Sequence, residues 1–201
     1  MEPFTELFEA EINFAFCVAA VRLQRDRLRP APPTSPGRAV SREEVWSFVT
    51  RLGADGLMFV LALEQVADAA QAIRFHTPAD VASDINDAIA RFEAACPDRR
   101  RLRNAVAHYS DYLRGAGTGQ QGGTSPQANY GLVNSLASFY FFTDEHRAPL
   151  EVDFAEAAEA ATALEHEITA ALHAARIRRR KQCPQPEQQE PQPLAPAAPA
   201  E

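Results

Sequence analysis

Apolar residues recur at helical spacing along most of the chain, in five separate segments. Positions three and four apart share one face of a helix, so this repeat predicts amphipathic helices. The predicted helices cover about residues 4–28, 41–75, 79–96, 98–115 and 154–180. Gly53 and Gly56 lie inside the second segment, which leaves two shorter helices as an alternative. The pattern predicts an all-α helical bundle of about five helices.

The first predicted helix carries a run of apolar positions. The run recurs with the period of an α-helix, so we expect it to pack inward. Its members are Phe4, Leu7, Phe8, Ile12, Ala15, Phe16, Ala19 and Leu23.

One stretch before the last helix departs from the helical pattern. Residues 133–142 are rich in β-branched and aromatic side chains, which favour strands. A polar, turn-like segment follows at 143–147, and 149–152 is suited to a short return strand. The sequence therefore predicts a β-hairpin here, with a helix over 132–142 as the alternative.

The C-terminal end differs in composition from the rest of the chain. Residues 184–201 hold six prolines, several Gln and Glu residues, and a single Leu. Such a segment cannot bury enough apolar area to offset its ordering entropy, so we expect a disordered tail. The predicted organisation is one helical domain over residues 1–180, followed by a Pro/Gln-rich tail over 181–201.

Charge and cysteine content restrict the class of protein. The formal net charge is −7 over 201 residues, which is unlike a generic nucleic-acid binder. The acidic N-terminus is unlike a signal peptide, and the longest uninterrupted apolar runs, 14–21 and 57–63, are shorter than a membrane span. Three scattered cysteines suggest neither zinc binding nor a disulfide framework. We expect a cytoplasmic protein without a membrane segment, metal or cofactor.

The candidate chemistry lies in the fourth predicted helix. Its apolar positions form one stripe, and Asn104 and His108 lie on the side away from that stripe, with Arg103 on its flank. A polar set turned away from the core meets either water or a partner. The stripe consists of Leu102, Val106, Tyr109 and Leu113.

A basic cluster precedes this polar set. Arg99, Arg100 and Arg101 fall in the first turn of the predicted helix, where the helix dipole disfavours cations. A solvated helix end is one interpretation, and a binding site for an anionic ligand such as RNA is the other.

The spacing of Arg103, Asn104 and His108 resembles the motif of the HEPN superfamily, in which an Arg and a polar residue precede a His by four to six positions. The resemblance implies an all-α domain that dimerises, with two motifs facing each other across the two-fold axis. It also implies a metal-independent endoribonuclease of toxin or defence type. There His108 would act as general acid or base, Arg103 would stabilise charge on the phosphate, and Asn104 would orient His108 or bind phosphate.

Two alternatives remain open at the level of sequence. Many HEPN-like proteins are non-catalytic, so the resemblance also allows a helical homodimer that binds a partner protein or nucleotide. An antitoxin or a nucleotidyltransferase-like protein is the partner that the toxin interpretation implies. The plainest alternative is a helix surface on which Asn104 and His108 are i, i+4 neighbours that bond each other or water.

Overall fold

The computed structural model describes residues 3–29, 41–107, 130–134, 138–143 and 150–182. These ranges contain five helices: α1 (Pro3–Leu28), α2 (Arg42–His76), α3 (Ala79–Ala95), α4 (Arg99–Ala107) and α5 (Phe154–Gln182). They also contain three strands: β1 (Tyr130–Asn134), β2 (Ser138–Thr143) and β3 (Leu150–Asp153). The predicted helical bundle with strands before the last helix is confirmed. The predicted end of the motif helix and the part of the predicted tail beyond residue 182 lie outside the described residues.

The second helix is continuous. Ser41 begins it with a capping box, in which the Ser41 Oγ accepts a hydrogen bond from the Glu44 amide at 3.1 Å and the Ser41 amide donates to the Glu44 carboxylate at 2.9 Å. A Cβ atom at Gly53 would meet nothing within 4 Å, so this glycine marks neither a break nor a close approach. The alternative of two shorter helices is therefore wrong.

Because α2 is continuous, its length and composition alone would allow it to cross a membrane. Its most apolar window has a mean hydropathy of 1.3, and a quarter of that window is buried inside the fold. The sequence prediction counted only uninterrupted apolar runs, so it did not detect this property. A core helix meets the same criterion, and α2 does supply core residues: Phe59, Leu63 and Ile73 have no exposed surface.

Polar contacts between helices show the directions in which the helices pack. α1 and α2 are antiparallel, since Glu6 at the start of α1 lies 3.3 Å from His76 at the end of α2. α5 is antiparallel to α1, because Arg176 late in α5 reaches Glu11 at 2.6 Å. α3 packs on α5, where Arg91 donates to Glu167 at 2.7 Å. These exposed pairs set orientation more than stability, because each surface pair contributes only about 0–1 kcal/mol.

The packed core draws on every helix and on the sheet. Phe59 meets Phe154 edge to face with ring centroids 4.9 Å apart, which joins α2 to the start of α5. Leu164 and Ile168 on α5 are each 1% exposed, as buried as the α2 residues. Each such side chain contributes about 1.5–3 kcal/mol by leaving water.

The face of α1 that packs inward is not the predicted one. Phe14, Val18 and Val21 are buried, whereas Phe8 is 59% exposed and Phe16 is 70% exposed. Both faces of α1 are apolar, and periodicity alone cannot select the one that α2 and α5 cover. The prediction that the run of Phe8 and Phe16 packs inward is therefore wrong for these residues.

The three strands form an antiparallel sheet in the order β1-β2-β3. Gly131 pairs with Phe142 across β1 and β2, and Phe139 pairs with Val152 across β2 and β3. Phe139, Leu150 and Val152 are buried, so this part of the sheet contributes to the core. The predicted hairpin is confirmed as β2 and β3. Residues 133–134, predicted to belong to its first strand, instead end the added strand β1, and the alternative helix over 132–142 is wrong.

Candidate functional site

The helix that carries Arg103 and Asn104 is anchored by the residue just before it, Asp98. The Asp98 carbonyl accepts a hydrogen bond from the Leu102 amide at 2.8 Å, which begins α4. The Asp98 carboxylate accepts from the Glu151 amide of β3 at 3.4 Å and lies 3.4 Å from Arg101 Nη1. The start of α4 is therefore attached to the sheet, and the direction of the helix is fixed at that end.

Burial divides α4 into two sides. Leu102 is fully buried and Ala105 is 4% exposed, so this side packs into the core. Arg100, Arg101, Arg103 and Asn104 are exposed. The predicted separation between apolar stripe and polar set holds for the described part of the motif.

Arg103 and Asn104 are in direct contact. The Arg103 Nη1 donates a hydrogen bond of 3.0 Å to the Asn104 Oδ1. Among the described residues, no carboxylate pairs with either Arg103 or Arg100. His108 follows Ala107, the last described residue of α4, and lies outside the described residues. The structure thus brings together two of the three motif residues.

Arg99 is placed differently from its neighbours. Its side chain is 9% exposed, its Nη2 donates to Glu93 Oε1 at 3.3 Å, and its Cζ lies 5.3 Å from the centre of the Phe92 ring. The structure places Arg99 inside the fold, apart from the exposed Arg100 and Arg101. The prediction that Arg99 belongs to an exposed basic cluster is therefore wrong.

The buried partner of Arg99 is Glu64 of α2. Arg99 Nε lies 3.2 Å from Glu64 Oε2, and the Glu64 side chain is 12% exposed. The two atoms are close enough for an ion pair but lack hydrogen-bond geometry, and neither has a hydrogen-bond partner among the described residues. A carboxylate at this position offsets the unfavourable placement of a cation in the first turn of α4. No spacing pattern in the sequence relates Glu64 to Arg99.

Cys96, next to the start of α4, is a free and buried cysteine. Burial raises the pKa of its thiol to about 11, against a smaller lowering effect of Arg99 and a raising effect of Glu156. Cys17 also has a raised pKa, caused first by burial and then by Asp68. A thiolate is the nucleophilic form of cysteine, so neither buried thiol suits nucleophilic chemistry near neutral pH.

An open groove of about 490 Å³ lies between α1 and α5, away from the motif residues. Arg22, Arg25 and His166 contribute to it, but Glu165 pairs with Arg22 and Glu159 lies 4.0 Å from Arg25. These carboxylates offset the positive charge of Arg22 and Arg25, so the groove does not favour an anion. In the ranges that the structure describes, no three His, Cys, Asp or Glu side chains are grouped closely enough to hold a metal ion.

Comparisons with known proteins add no further constraint on the site. No protein-family model, curated protein or solved structure matches the chain.

Proposed function

We propose that the chain is an HEPN-like domain that cleaves RNA without a metal ion, at a site carried by α4. The observation that supports this proposal is the pairing of Arg103 with Asn104 on the exposed side of a helix whose other side is buried. A hydrogen bond from Arg103 holds the Asn104 side chain in place. Arg100 and Arg101 add positive charge to the same helix, although the whole chain carries −7.

The proposed chemistry divides between His108 and Arg103. A histidine with an ordinary pKa near about 6.5 exchanges protons readily at neutral pH. As general base, His108 removes the proton of a ribose 2′-hydroxyl, and the 2′ oxygen forms a bond to phosphorus while the bond from phosphorus to the 5′ oxygen breaks. The leaving 5′ oxygen takes a proton from water, and His108 returns its own proton to solvent. Arg103 stabilises the charge that develops on the phosphate. Asn104 orients His108 or donates to phosphate.

A second copy of the chain completes the proposed site. On one straight helix, Arg103 and His108 would be separated by about 140° around the helix and about 7.5 Å along its axis, which is too far for one compact pocket. A two-fold axis near the motif would gather two copies of each residue in one cleft. We place this homodimer in the cytoplasm, as a toxin or defence component with an antitoxin or nucleotidyltransferase-like partner.

A non-catalytic helical dimer that binds a partner protein or nucleotide is the second candidate. The observation that favours it is the set of large apolar side chains exposed on α1, including Phe16 at 70%. Exposed apolar surface of this kind marks protein contacts more often than catalytic sites. On this proposal, loss of His108 changes partner binding and the wild type cleaves no RNA.

The two candidates are separated by incubating purified protein with RNA in excess chelator. We expect the wild type to cleave, and His108→Ala and Arg103→Ala to lose cleavage while retaining the helical circular dichroism spectrum. Arg100→Ala is the matched control, because Arg100 is equally exposed on α4 but outside the motif. It should weaken RNA binding and flatten its salt dependence while cleavage persists at saturating RNA. Equal cleavage by wild type and His108→Ala would reveal a contaminating nuclease and refute the catalytic proposal.

A further inference from the structure

The first helix carries two apolar faces, and the core covers one of them. The other, here called the outer face of α1, consists of Phe8, Ile12, Phe16 and Leu23. These side chains are 59%, 40%, 70% and 54% exposed. At 3.6 residues per turn they lie along one side of the helix, about opposite the buried Phe14, Val18 and Val21. Single exposed apolar residues are ordinary, whereas a continuous row on one helix marks a contact surface.

We propose that the outer face of α1 binds the same face of a second copy of the chain, with the two α1 helices antiparallel about a two-fold axis. The spacing along the face suits this arrangement. When Ile12 lies opposite Leu23 of the second copy, Phe16 lies opposite the small Ala19, and the pattern repeats by symmetry. A large side chain then meets a small one at the centre, as close packing of helices requires.

Charge on the flank of the outer face selects the antiparallel direction. Glu9 and Arg27 are separated by about five helical turns, so they lie on the same side of α1, near its two ends. In an antiparallel two-fold pair each Glu9 lies on the same flank as Arg27 of the other copy, about one residue from it along the helix axis, whereas a parallel pair places these two side chains at opposite ends of the helices. Arg27 is 56% exposed and forms a long ion pair of 3.9 Å with Asp55 of its own chain, so Glu9 of the second copy would share this guanidinium group with Asp55.

The exposed area fits a reversible dimer. The four side chains leave about 400 Å² of apolar surface in water per copy, judged from the usual area of aromatic and aliphatic side chains. Two copies, with their flanking polar residues, approach the lower end of specific interfaces at about 1,200 Å² in total. We therefore expect dissociation in the micromolar range.

This inference does not depend on RNA cleavage. The outer face belongs to α1, whereas α4 packs against α2 and the sheet. A variant that loses the α1 contact can therefore be assayed for cleavage separately, and His108→Ala can be assayed for assembly.

Sedimentation velocity of the full chain between about 1 and 100 µM, the range in which such a dimer dissociates, tests the contact. The α1 contact is separate from the contact proposed near the motif. We therefore expect Phe16→Glu to weaken wild-type self-association by at least about tenfold while association through the motif is retained, because the charge would be buried at the centre of the α1 interface. Trp46→Glu is the matched control, since Trp46 is an aromatic residue of α2 that is 73% exposed. It should leave the dimer unchanged. Circular dichroism confirms that each variant is folded.

Charge reversal tests the antiparallel direction. Glu9→Lys and Arg27→Glu should each weaken the dimer, and the double variant should restore it, because the opposite charges then face each other again. A wild type that is monomeric at 100 µM would overturn the proposal, as would a Phe16→Glu dimer of unchanged affinity or a double variant no better than the single ones. Binding of a monomeric wild type to phosphatidylcholine vesicles, lost in Phe16→Glu, would assign the face to a lipid surface instead.

Discussion

Replacement of Arg99 by Met removes one half of the most deeply buried ion pair at the start of α4. The Arg99 and Glu64 side chains are 9% and 12% exposed, so the Glu64 carboxylate would lose its buried counter-charge. Breaking such a pair by removing one partner costs about 3–5 kcal/mol. The lost contact with the half-exposed Glu93 adds little, because solvent screens it. We expect Arg99→Met to lower the free energy of unfolding by about 3–5 kcal/mol.

A double-mutant cycle isolates the buried charge from the packing. Glu64→Met in the Arg99→Met background removes the second charge and fills the site with apolar atoms of similar length. Replacing both members of a buried pair by apolar residues is often close to neutral. The double variant should therefore recover most of the stability that Arg99→Met loses. Urea denaturation followed by circular dichroism measures each midpoint and slope.

Arg100→Met provides the control at the neighbouring position. Arg100 is exposed and, among the described residues, has no ionic partner, so its replacement should change stability by less than about 0.5 kcal/mol. If Arg99→Met were as mild as Arg100→Met, Arg99 would be solvated and would return to the surface basic cluster. If the double variant lost as much unfolding free energy as the two single variants together, Arg99 and Glu64 would not be coupled.

Three further predictions concern the tail and the buried thiol. A chain that ends at Cys183 should melt at the same temperature as the full chain, because the composition of 184–201 predicts no core contact; a lower melting temperature in calorimetry would show that the tail packs on the domain. Iodoacetamide at pH 8 should alkylate Cys96 far more slowly in the native protein than in urea, since burial raises its pKa from 9.0 to about 11. The raised pKa also stabilises the folded state below pH 9, and this stabilisation is lost as the pH rises towards 11. The free energy of unfolding should therefore fall less steeply between pH 9 and 11 in Cys96→Ser than in the wild type. Equal slopes in the two proteins would contradict the raised pKa.

Local signals in the sequence predicted several elements correctly. The start of α2 is set locally, because the capping box of Ser41 and Glu44 depends on residues three positions apart. Asp153 similarly begins α5 by accepting hydrogen bonds from the Ala155 and Glu156 amides. The β-branched and aromatic stretch before α5 predicted strands. Each of these features depends on residues close together in the chain.

The features that were missed depend on residues far apart in the chain. Apolar periodicity showed that α1 is helical, but which of its two apolar faces is covered depends on where α2 and α5 pack. Arg99 resembled its exposed neighbours because nothing near it in the sequence indicates that it pairs with Glu64. For the candidate site, the sequence placed Arg103 and Asn104 on one exposed side of α4, and it could not separate Arg99 from the exposed arginines beside them.

The central claim is that α4 supports metal-independent cleavage through the ribose 2′-hydroxyl. The most direct measurement compares one RNA oligonucleotide with its all-2′-deoxy counterpart, each incubated with wild-type protein in excess chelator. We predict that only the RNA is cut, leaving a 2′,3′-cyclic phosphate and a 5′-hydroxyl, and that His108→Ala cuts neither. Cleavage of both oligonucleotides by the wild type, or of neither, would contradict the claim.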